Sequence, residues 1–169
     1  TFRMAGGWAQ KLSYGIDYTR TDVENLQTGL VPPAGETFPL KRFPDTREAT
    51  TALFLQDEFL FDQWSITPGV RYDRYKLDAS QAGFSATAAS LSDSAVSPKL
   101  GVLFRATPQW SVYGNYASGF KAPTAFTVPT FFENAAQGSS TIPNPKLRPE
   151  HSRNFEIGSK FELFERRAL

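Results

Sequence analysis

The chain of 169 residues contains no cysteine, one histidine and one methionine. The lack of cysteine excludes a disulfide framework and thiolate metal sites. Lys plus Arg number 18 and Asp plus Glu 17, so no excess of positive charge indicates nucleic acid as a partner. The sequence has no run of about 18 apolar residues, and we therefore expect no transmembrane helix within it.

Motifs of catalysis are missing as well. The sequence contains no nucleophile motif, no phosphate-binding glycine loop and no H-E-x-x-H zinc motif. Its carboxylates are spread along the chain, with nothing to pair them as acid and base. We therefore predict no catalytic residues, no metal site and no enzymatic activity.

Apolar and polar residues alternate with a period of two, which is typical of β-strands rather than helices. Two further strands are expected near residues 49–61 and 110–120, giving about six strands in an all-β, antiparallel fold. The clearest alternating segments run from Leu12 to Tyr18, Trp64 to Tyr72, Val96 to Phe104, and Phe155 to Leu163.

The connections between these strands differ in length from one end of the strands to the other. Tight turns are expected at 61–64 and 106–110, and long segments at 24–47, 79–94 and 121–151. Short turns at one end and long loops at the other are typical of an outer-membrane β-barrel. Trp64 and Trp110 lie beside the short turns, as in the aromatic girdle at a bilayer interface. We therefore predict periplasmic turns and extracellular loops.

The alternation allows two architectures. In a barrel the apolar side chains face lipid and the polar ones face a hydrated lumen. A soluble six-strand sandwich would turn the same apolar face inward. Periodicity alone does not separate the two, but the loop asymmetry and the tryptophans favour the barrel. The charged residues expected to face the lumen are Arg71, Asp73, Lys99, Arg105, Glu156 and Lys160.

One predicted strand does not fit the alternation. In segment 52–61, either choice of face places Asp57 or Glu58 on the lipid side. A β-bulge near residues 56–58 would shift the alternation and remove the conflict.

Two short motifs flank the longest connection. Gly119-Phe120-Lys121-Ala122-Pro123 opens it, and Asn144-Pro145-Lys146-Leu147-Arg148-Pro149-Glu150 closes it. This pair resembles the FRAP and NPNL motifs of TonB-dependent outer-membrane receptors, where the pair is best known in haem and haemoglobin receptors. Other segments resemble the family too: Q-D-E at 56–58, P-G-V-R-Y-D at 68–73, S-P-K-L-G at 97–101 and Y-G-N-Y-A at 113–117.

The resemblance implies a protein longer than this chain. Such receptors are closed barrels of about 22 strands, plugged by an N-terminal domain. Residues 1–169 would then be part of the barrel domain, with the plug, the TonB box and the other strands outside it. Six strands alone would leave exposed edges, so the isolated segment is not expected to insert stably.

The resemblance also implies a function and partners. The expected activity is TonB-dependent uptake of haem, free or from a haemoprotein or haemophore, across the outer membrane of a Gram-negative bacterium. The TonB–ExbB–ExbD complex would act through the plug, outer-membrane lipid would surround the barrel, and bacteriocins or phages commonly exploit such loops. A ferric-siderophore receptor is the runner-up, and a soluble β-sandwich binding module is the alternative of another class.

The two motifs define a candidate ligand-gating loop. Proline fixes φ and removes a hydrogen-bond donor, so both motifs are suited to ending a strand and aiming the loop. Asn before Pro typically starts a turn. The predicted gating residues are Phe120, Lys121, Ala122, Pro123, Asn144, Pro145, Lys146 and Leu147.

Four residues of this loop, and His151 just after it, are candidates for contact with a ligand. Segment 124–143 contains no His, Tyr, Cys or Met, whereas haem receptors of the family place a His or Tyr there. His151 is the one remaining candidate haem ligand, and a solvated residue at a strand start is the alternative. Lys41, Arg42 and Arg47 form a candidate cluster for an anionic siderophore. The candidate contact residues, which could equally pack the loop on itself, are Phe126, Phe131, Phe132 and Asn134.

Overall fold

The computed structural model describes residues 2–3, 8–32, 36–134 and 137–162. Nine strands lie within these ranges. Their bounds are β1 Phe2–Arg3, β2 Trp8–Val23, β3 Thr46–Phe61, β4 Trp64–Ala79, β5 Leu91–Arg105, β6 Trp110–Lys121, β7 Phe132–Asn134, β8 Ser139–Thr141 and β9 Glu150–Phe161.

Seven of these strands form one antiparallel sheet in the order β1-β2-β3-β4-β5-β6-β9. Its six long strands, β2 to β6 and β9, confirm the predicted all-β antiparallel fold. Several strands extend beyond the predicted segments, because pairing with a neighbour continues past the apolar alternation. The β4–β5 ladder, for example, runs as far as Leu77 opposite Leu91. Leu163, the last residue of one predicted alternation, lies outside the described residues.

Turns and loops separate to opposite ends of the sheet. Residues 62–63 join β3 to β4, and residues 106–109 join β5 to β6. Asp62 adopts a φ of 51°, a left-handed conformation that Asp tolerates better than most residues. The other end carries three long connections, which we name loop A (24–45), loop B (80–90) and loop C (122–149). Loop C contains the small β7–β8 hairpin, which the sequence alternation did not predict.

The sheet has one apolar and one polar face, because residues paired directly across neighbouring strands point to the same side. On the apolar face, Tyr14 is 77% exposed and Ile157 is 85% exposed. The polar face carries Arg71, whose guanidinium pairs with Asp17 at 2.5 Å and Asp73 at 2.9 Å. By the same registers Lys99, Arg105, Glu156 and Lys160 also lie on the polar face.

The β-bulge that would remove the conflict at residues 56–58 does not form between β3 and β4. The register between β3 and β4 is the same on both sides, with Gln56 opposite Gly69 and Phe59 opposite Ile66. Pairing lapses only between these points, where Pro68 has no N–H to donate. Asp57 therefore lies on the apolar face beside Leu12, and its carboxylate accepts a hydrogen bond from the Gln10 side-chain amide.

Close packing on the polar face depends on glycine. A β-carbon on Gly15 would lie 2.6 Å from the Phe54 ring, and one on Gly69 would lie 2.6 Å from Lys99 Cε. Tyr113 lies over Gly158 in the same manner. Each glycine thus lets a long side chain from the next strand lie flat along the wall.

One ladder of the sheet is short. β5 pairs with β6 over seven residues only, from Lys99 opposite Ala117 to Arg105 opposite Ser111. Beyond Ala117, β6 pairs with β9 alone as far as Lys121 opposite Glu150. Between Ala117 and the loop end of the sheet, the wall therefore has an open seam between β5 and β6.

The buried core is small and lies at the loop end. Leu77, Ala89 and Val128 form it, and Ala79, Leu91 and Leu147 pack against it. Leu77 is on the polar face of β4, while Val128 belongs to loop C. Loop C therefore folds back over the polar face of the sheet. In the described ranges, no helix is long and apolar enough to span a membrane.

Candidate functional site

The FRAP-like motif lies where β6 runs into loop C. Phe120 stacks on Tyr75 of β4, with 6.0 Å between ring centroids and 27° between planes. This contact bridges the seam between β5 and β6. Lys121 lies opposite Glu150, with 3.9 Å between Nζ and Oε2. The two ends of loop C are therefore held side by side on neighbouring strands.

The NPNL-like motif forms a turn that closes loop C. The Leu147 N–H donates to the Asn144 carbonyl at 3.3 Å, and the Lys146 N–H donates to Asn144 Oδ1 at 3.0 Å. Pro145 occupies the second turn position, where its fixed φ is favourable. The Asn144 N–H donates to the Val128 carbonyl at 2.8 Å, which ties the turn to the first half of the loop.

A single carboxylate and an apolar contact anchor the first half of loop C to the wall. The Ala125 N–H donates to Glu48 Oε1 on β3 at 2.5 Å. Ala125 and Val128 are both 0% exposed, and Val128 packs on Leu77 and Ala89. Threonine hydroxyls bond to the loop backbone on either side, with Thr127 accepting from the Thr124 N–H at 2.9 Å. Loop C is therefore a packed structure over the polar face.

The aromatic candidates of loop C take part in packing between loops. Phe126 meets Phe43 of loop A edge to face, at 5.0 Å between centroids, and remains 62% exposed. The Phe131 N–H donates to the Arg42 carbonyl at 3.2 Å. The side chains of Phe132 and Asn134 lie outside the described residues. Phe126 thus both packs on loop A and presents a ring to the surroundings.

The candidate siderophore cluster does not converge on one site. Arg42 binds Glu36 through both terminal nitrogens, at 2.5 and 2.7 Å. Lys41 pairs with Asp45 at 2.5 Å, and Arg47 pairs with Asp22 at 2.8 Å. The three cations therefore pair with three different carboxylates and do not converge.

The Lys41–Asp45 pair also connects two loops. The hydrogen bond from the Lys41 ammonium lowers the pKa of the Asp45 carboxyl below its usual value, although burial of the group opposes this. The Asp45 carbonyl accepts from the Ser80 N–H at 2.8 Å, and Lys41 Nζ lies 3.4 Å from the Ala82 carbonyl. Loops A and B are thus joined at this point.

His151 lies opposite Phe120 on β9 and is exposed. It alternates with Ser152 and Glu156, so it shares the face of Arg153, Phe155 and Ile157. That face is the apolar one along the lower part of β9, although at this level the paired residue Phe120 reaches Tyr75 of the polar face across the seam. Its role as a haem ligand stays a prediction.

Two cavities adjoin the gating residues. A cavity of about 190 Å³ lies between the two motifs and is lined by Lys121, Arg148, Glu150 and the start of loop C. A larger groove of about 720 Å³ runs between loops B and C, past Phe131 and Ile142, and none of the described residues that line it is charged. Among the described residues, no three His, Cys, Asp or Glu side chains converge on a point suited to a metal ion.

Sequence reasoning missed the residues of the wall that receive loop C. Glu48, Tyr75 and Leu77 all lie on the polar face, where their anchoring role depends on a loop far away in the sequence. A signal for two of them is present. Tyr75, Leu77 and Ala79 form an apolar row at the end of β4, on the face where the lower part of the strand carries Gly69, Arg71 and Asp73. Such a change on one face indicates a packing partner.

An antiparallel sheet with one exposed apolar face, tight turns at one end and interlocked loops at the other is the wall of a β-barrel. The family model for the β-barrel of TonB-dependent receptor-like proteins matches residues 1–169. The chain belongs to this family.

Two curated relatives are similar to the chain over most of its length. The metal-pseudopaline receptor CntO of Pseudomonas aeruginosa is 30% identical over 122 residues, which are 69% of this chain and 15% of that receptor. The probable TonB-dependent siderophore receptor PiuA of Acinetobacter baumannii is 28% identical over 131 residues, 73% of this chain and 16% of that protein. The chain therefore spans about a sixth of the length of these relatives.

Among solved structures, the hemophore receptor HasR of Serratia marcescens, in complex with its hemophore HasA and heme, has a similar fold. The TM-score is 0.71 with 19% identity, over 94% of this chain and 27% of HasR. At this identity the likeness concerns the fold alone.

Proposed function

We propose that the whole protein is an outer-membrane receptor that imports a metal complex by TonB-dependent active transport. This chain would contribute part of the barrel wall and three extracellular loops. The family supports this proposal, and the curated relatives are named as receptors for a metal–pseudopaline complex and for siderophores. TonB and its energising partners would act through the plug domain of the complete protein.

The observation that carries the proposal is the exposed apolar face. Between Trp8 and Tyr18 the apolar face extends over ten residues, or about 34 Å of strand at about 3.4 Å per residue. At a strand tilt of about 40°, this corresponds to roughly 25 Å along the membrane normal, the height of the apolar band of an outer-membrane barrel. A soluble sandwich would instead have to cover these side chains, which are exposed here.

Interlocked loops over the polar face support ligand capture on the extracellular side. Loop C rests on Leu77, and Phe126 contacts Phe43 of loop A while keeping most of its ring accessible. The cavity between the two motifs brings Lys121 and Arg148 together. A cavity lined by two cations suits an anionic complex, and an exposed aromatic ring on the same loop suits a complex with flat aromatic parts.

Within this class, we favour a metal chelate such as a ferric siderophore. A chelate carries its own donor atoms, which agrees with a loop whose segment 124–143 has no His, Tyr, Cys or Met. Haem is the second candidate, and the paired FRAP-like and NPNL-like motifs favour it. In that case the axial ligands would come from elsewhere in the protein, or His151 would supply one.

The test uses the full-length receptor in detergent, titrated separately with hemin and with ferric siderophores. Saturable quenching of intrinsic fluorescence by a ferric siderophore, with no Soret shift on adding hemin, supports the chelate. A saturable, red-shifted Soret band near one equivalent identifies haem instead, and repeating it with His151→Ala then tests that residue as a ligand. Saturable binding of neither would contradict the proposed substrate class.

A matched pair of variants tests the cavity between the motifs. We expect the Lys121→Gln and Arg148→Gln double variant to weaken binding of an anionic complex about tenfold, because it removes two charge-assisted contacts. The Lys146→Gln variant removes a cation of the same motif outside the lining of this cavity, and we expect a change of less than about twofold. Equal effects of the two would contradict a role for the cavity.

A further inference from the structure

The apolar face changes its chemistry at one level of the sheet. Tyr18 and Tyr72 are the last large apolar side chains toward the loop end, at 66% and 42% exposed. Farther along each of their strands, and on β3 between them, the same face carries a set of cations, which we name the basic band. It consists of Arg20, Arg47, Arg74 and Lys76.

The register assigns these residues to one face and to adjacent rows. Arg20 lies opposite Ala49, which lies opposite Lys76. Arg74 lies two residues below Lys76 on β4, and Arg47 lies two residues above Ala49 on β3. The basic band is therefore a continuous patch across β2, β3 and β4.

Acidic residues compensate only part of this charge. Asp22 accepts from Arg20 at 2.9 Å and from Arg47 at 2.8 Å, so one carboxylate serves two guanidinium groups. Lys76 pairs with Asp78 at 2.7 Å. Arg74 has no ion-pair partner among the described residues. The patch therefore keeps an excess of positive charge, and its side chains are about half exposed.

The opposite face at this level offers no similar charge. There Tyr75 and Leu77 are buried beneath loop C, at 3% and 2% exposed. The cations thus point away from the lumen and toward whatever surrounds the barrel. They begin where an apolar band of roughly 25 Å ends, which is the level of lipid headgroups.

We propose that the basic band binds the phosphate groups of anionic lipid headgroups in the leaflet on the loop side of the membrane. This inference rests on the proposed membrane location. Guanidinium groups bind phosphate oxygens bidentately, and the fork of Arg74 has no competing carboxylate among the described residues. Asp22 and Asp78 hold the neighbouring cations in place while leaving part of their charge for the lipid. By binding these phosphates, the basic band would fix how deeply this part of the wall sits in the membrane and which lipids lie beside it.

The experiment uses the full-length receptor in detergent and a fluorescent diphosphoryl lipid A as the probe, with dephosphorylated lipid A for comparison. The test variant replaces Arg20, Arg47, Arg74 and Lys76 by Gln. The matched control replaces the polar-face cations Lys11, Lys99, Arg105 and Lys160 by Gln. Each cation near an anionic lipid surface contributes about fivefold to binding, so we expect at least tenfold weaker binding in the test variant and less than about twofold in the control.

Three results would overturn the proposal. These are unchanged affinity in the test variant, an equal loss in the control, and equal binding of the phosphorylated and dephosphorylated lipids. The single variants Arg74→Gln and Arg74→Lys guard against misfolding of the fourfold change. Gln should weaken binding about fivefold, and Lys should restore part of the loss, because it keeps the charge but not the bidentate fork. Equal effects of the two would also contradict the proposal.

The same samples separate this inference from the proposed function. Loss of lipid binding with unchanged binding of the metal complex is the expected result for the test variant. If the protein binds the metal complex but shows no preference for phosphorylated lipid, only the proposed lipid-binding role of the basic band is refuted. A full-length protein that stays soluble and monomeric without detergent would contradict the membrane location. Both proposals would then be wrong, because both depend on that location.

Discussion

The turn end and the loop end of this wall are stabilised in different ways. At the turn end, Trp64 packs on Phe104 with 4.6 Å between centroids, and both rings lie on the exposed apolar face. The buried core of the described residues lies at the other end. At the turn end, stability must therefore come from the hydrogen bonds between strands and from whatever surrounds the wall. At the loop end, Val128 and Leu77 are buried between loop C and the polar face. Side-chain burial therefore dominates only where loops cover the sheet.

We therefore expect a substitution to change stability through a different mechanism at each end of the wall. Near the turns, what matters is whether a side chain faces lipid or lumen, so neighbouring positions should respond in opposite ways. Near the loops, what matters is burial against another part of the chain.

The largest effect is expected from Val128→Asp in the full-length receptor. An uncompensated buried charge costs roughly 3–5 kcal/mol, which should detach loop C from Leu77 and Ala89. Limited proteolysis of the folded receptor should then cut within loop C much faster than in the parent protein. Ile142→Asp is the control on the same loop, since Ile142 is already 70% exposed. Equal cleavage of both variants would show that Val128 does not anchor the loop.

The next effect concerns lipid contact, tested by Leu55→Arg. Leu55 is 47% exposed on the apolar face, in the row of Tyr14 and Val70. An arginine facing lipid near the bilayer midplane costs about 2–4 kcal/mol, measurable as the free energy of unfolding of the receptor in vesicles. Gln56→Arg is the control, because the next residue faces the lumen and should change it by less than about 1 kcal/mol. A reversed order would mean that the two faces are assigned the wrong way round.

A smaller effect should follow from filling the close approach at Gly158. A β-carbon there would overlap the Tyr113 ring, which must shift and lose its 3.2 Å contact with Glu156. Overpacking of this kind costs roughly 1–3 kcal/mol, so the thermal midpoint of the Gly158→Ala receptor should fall. Gly114→Ala is the control, since its β-carbon would meet only the Glu156 carbonyl at 3.8 Å. If the loss persists in a Tyr113→Ala background, the ring is not its cause.

The smallest effect should come from acid at the Lys41–Asp45 pair. Because the folded-state pKa of Asp45 is lowered, the pair stabilises loop A at pH values above the usual carboxyl pKa near 3.8. That contribution is lost as the pH falls through the lower, folded-state pKa. A partly exposed pair is worth about 1 kcal/mol or less. Hydrogen exchange at the Ser80 amide should therefore rise modestly on acidification after correction for the intrinsic rate. Asp45→Asn should remove this pH dependence, and an unchanged profile would contradict the assignment.

The wall could be predicted from the sequence because its chemistry is local. Alternation in segments such as Trp64 to Tyr72 reports directly which face each residue takes, and the turn beside Trp64 is encoded within two residues. The face of Arg71 follows from parity alone, and so does that of Glu156. Asp57 shows the limit of this reasoning, since parity identified a polar residue on the apolar face but not the Gln10 amide that bonds to it.

The packing of the loops could not be predicted, because it depends on contacts between distant segments. Nothing near Ala125 indicates that its N–H reaches Glu48, and nothing near Phe126 indicates Phe43. The turn at Asn144–Pro145 was readable, since its hydrogen bonds close within four residues. The gating role of both motifs stays a prediction, as do the ligand contacts.

The short ladder between β5 and β6 has a mechanical consequence. Above Ala117 the wall is divided into two parts, which we call leaves. One leaf contains β4 and β5, and the other contains β6 and β9, which loop C connects. The ladder that joins the two leaves has seven residue pairs, whereas twelve pairs join β6 to β9. The Phe120–Tyr75 stack is the latch across the seam. A load on loop C therefore reaches the wall by two routes, one through the β6–β9 hairpin and the other through the contacts of Val128 with Leu77 and of Ala125 with Glu48.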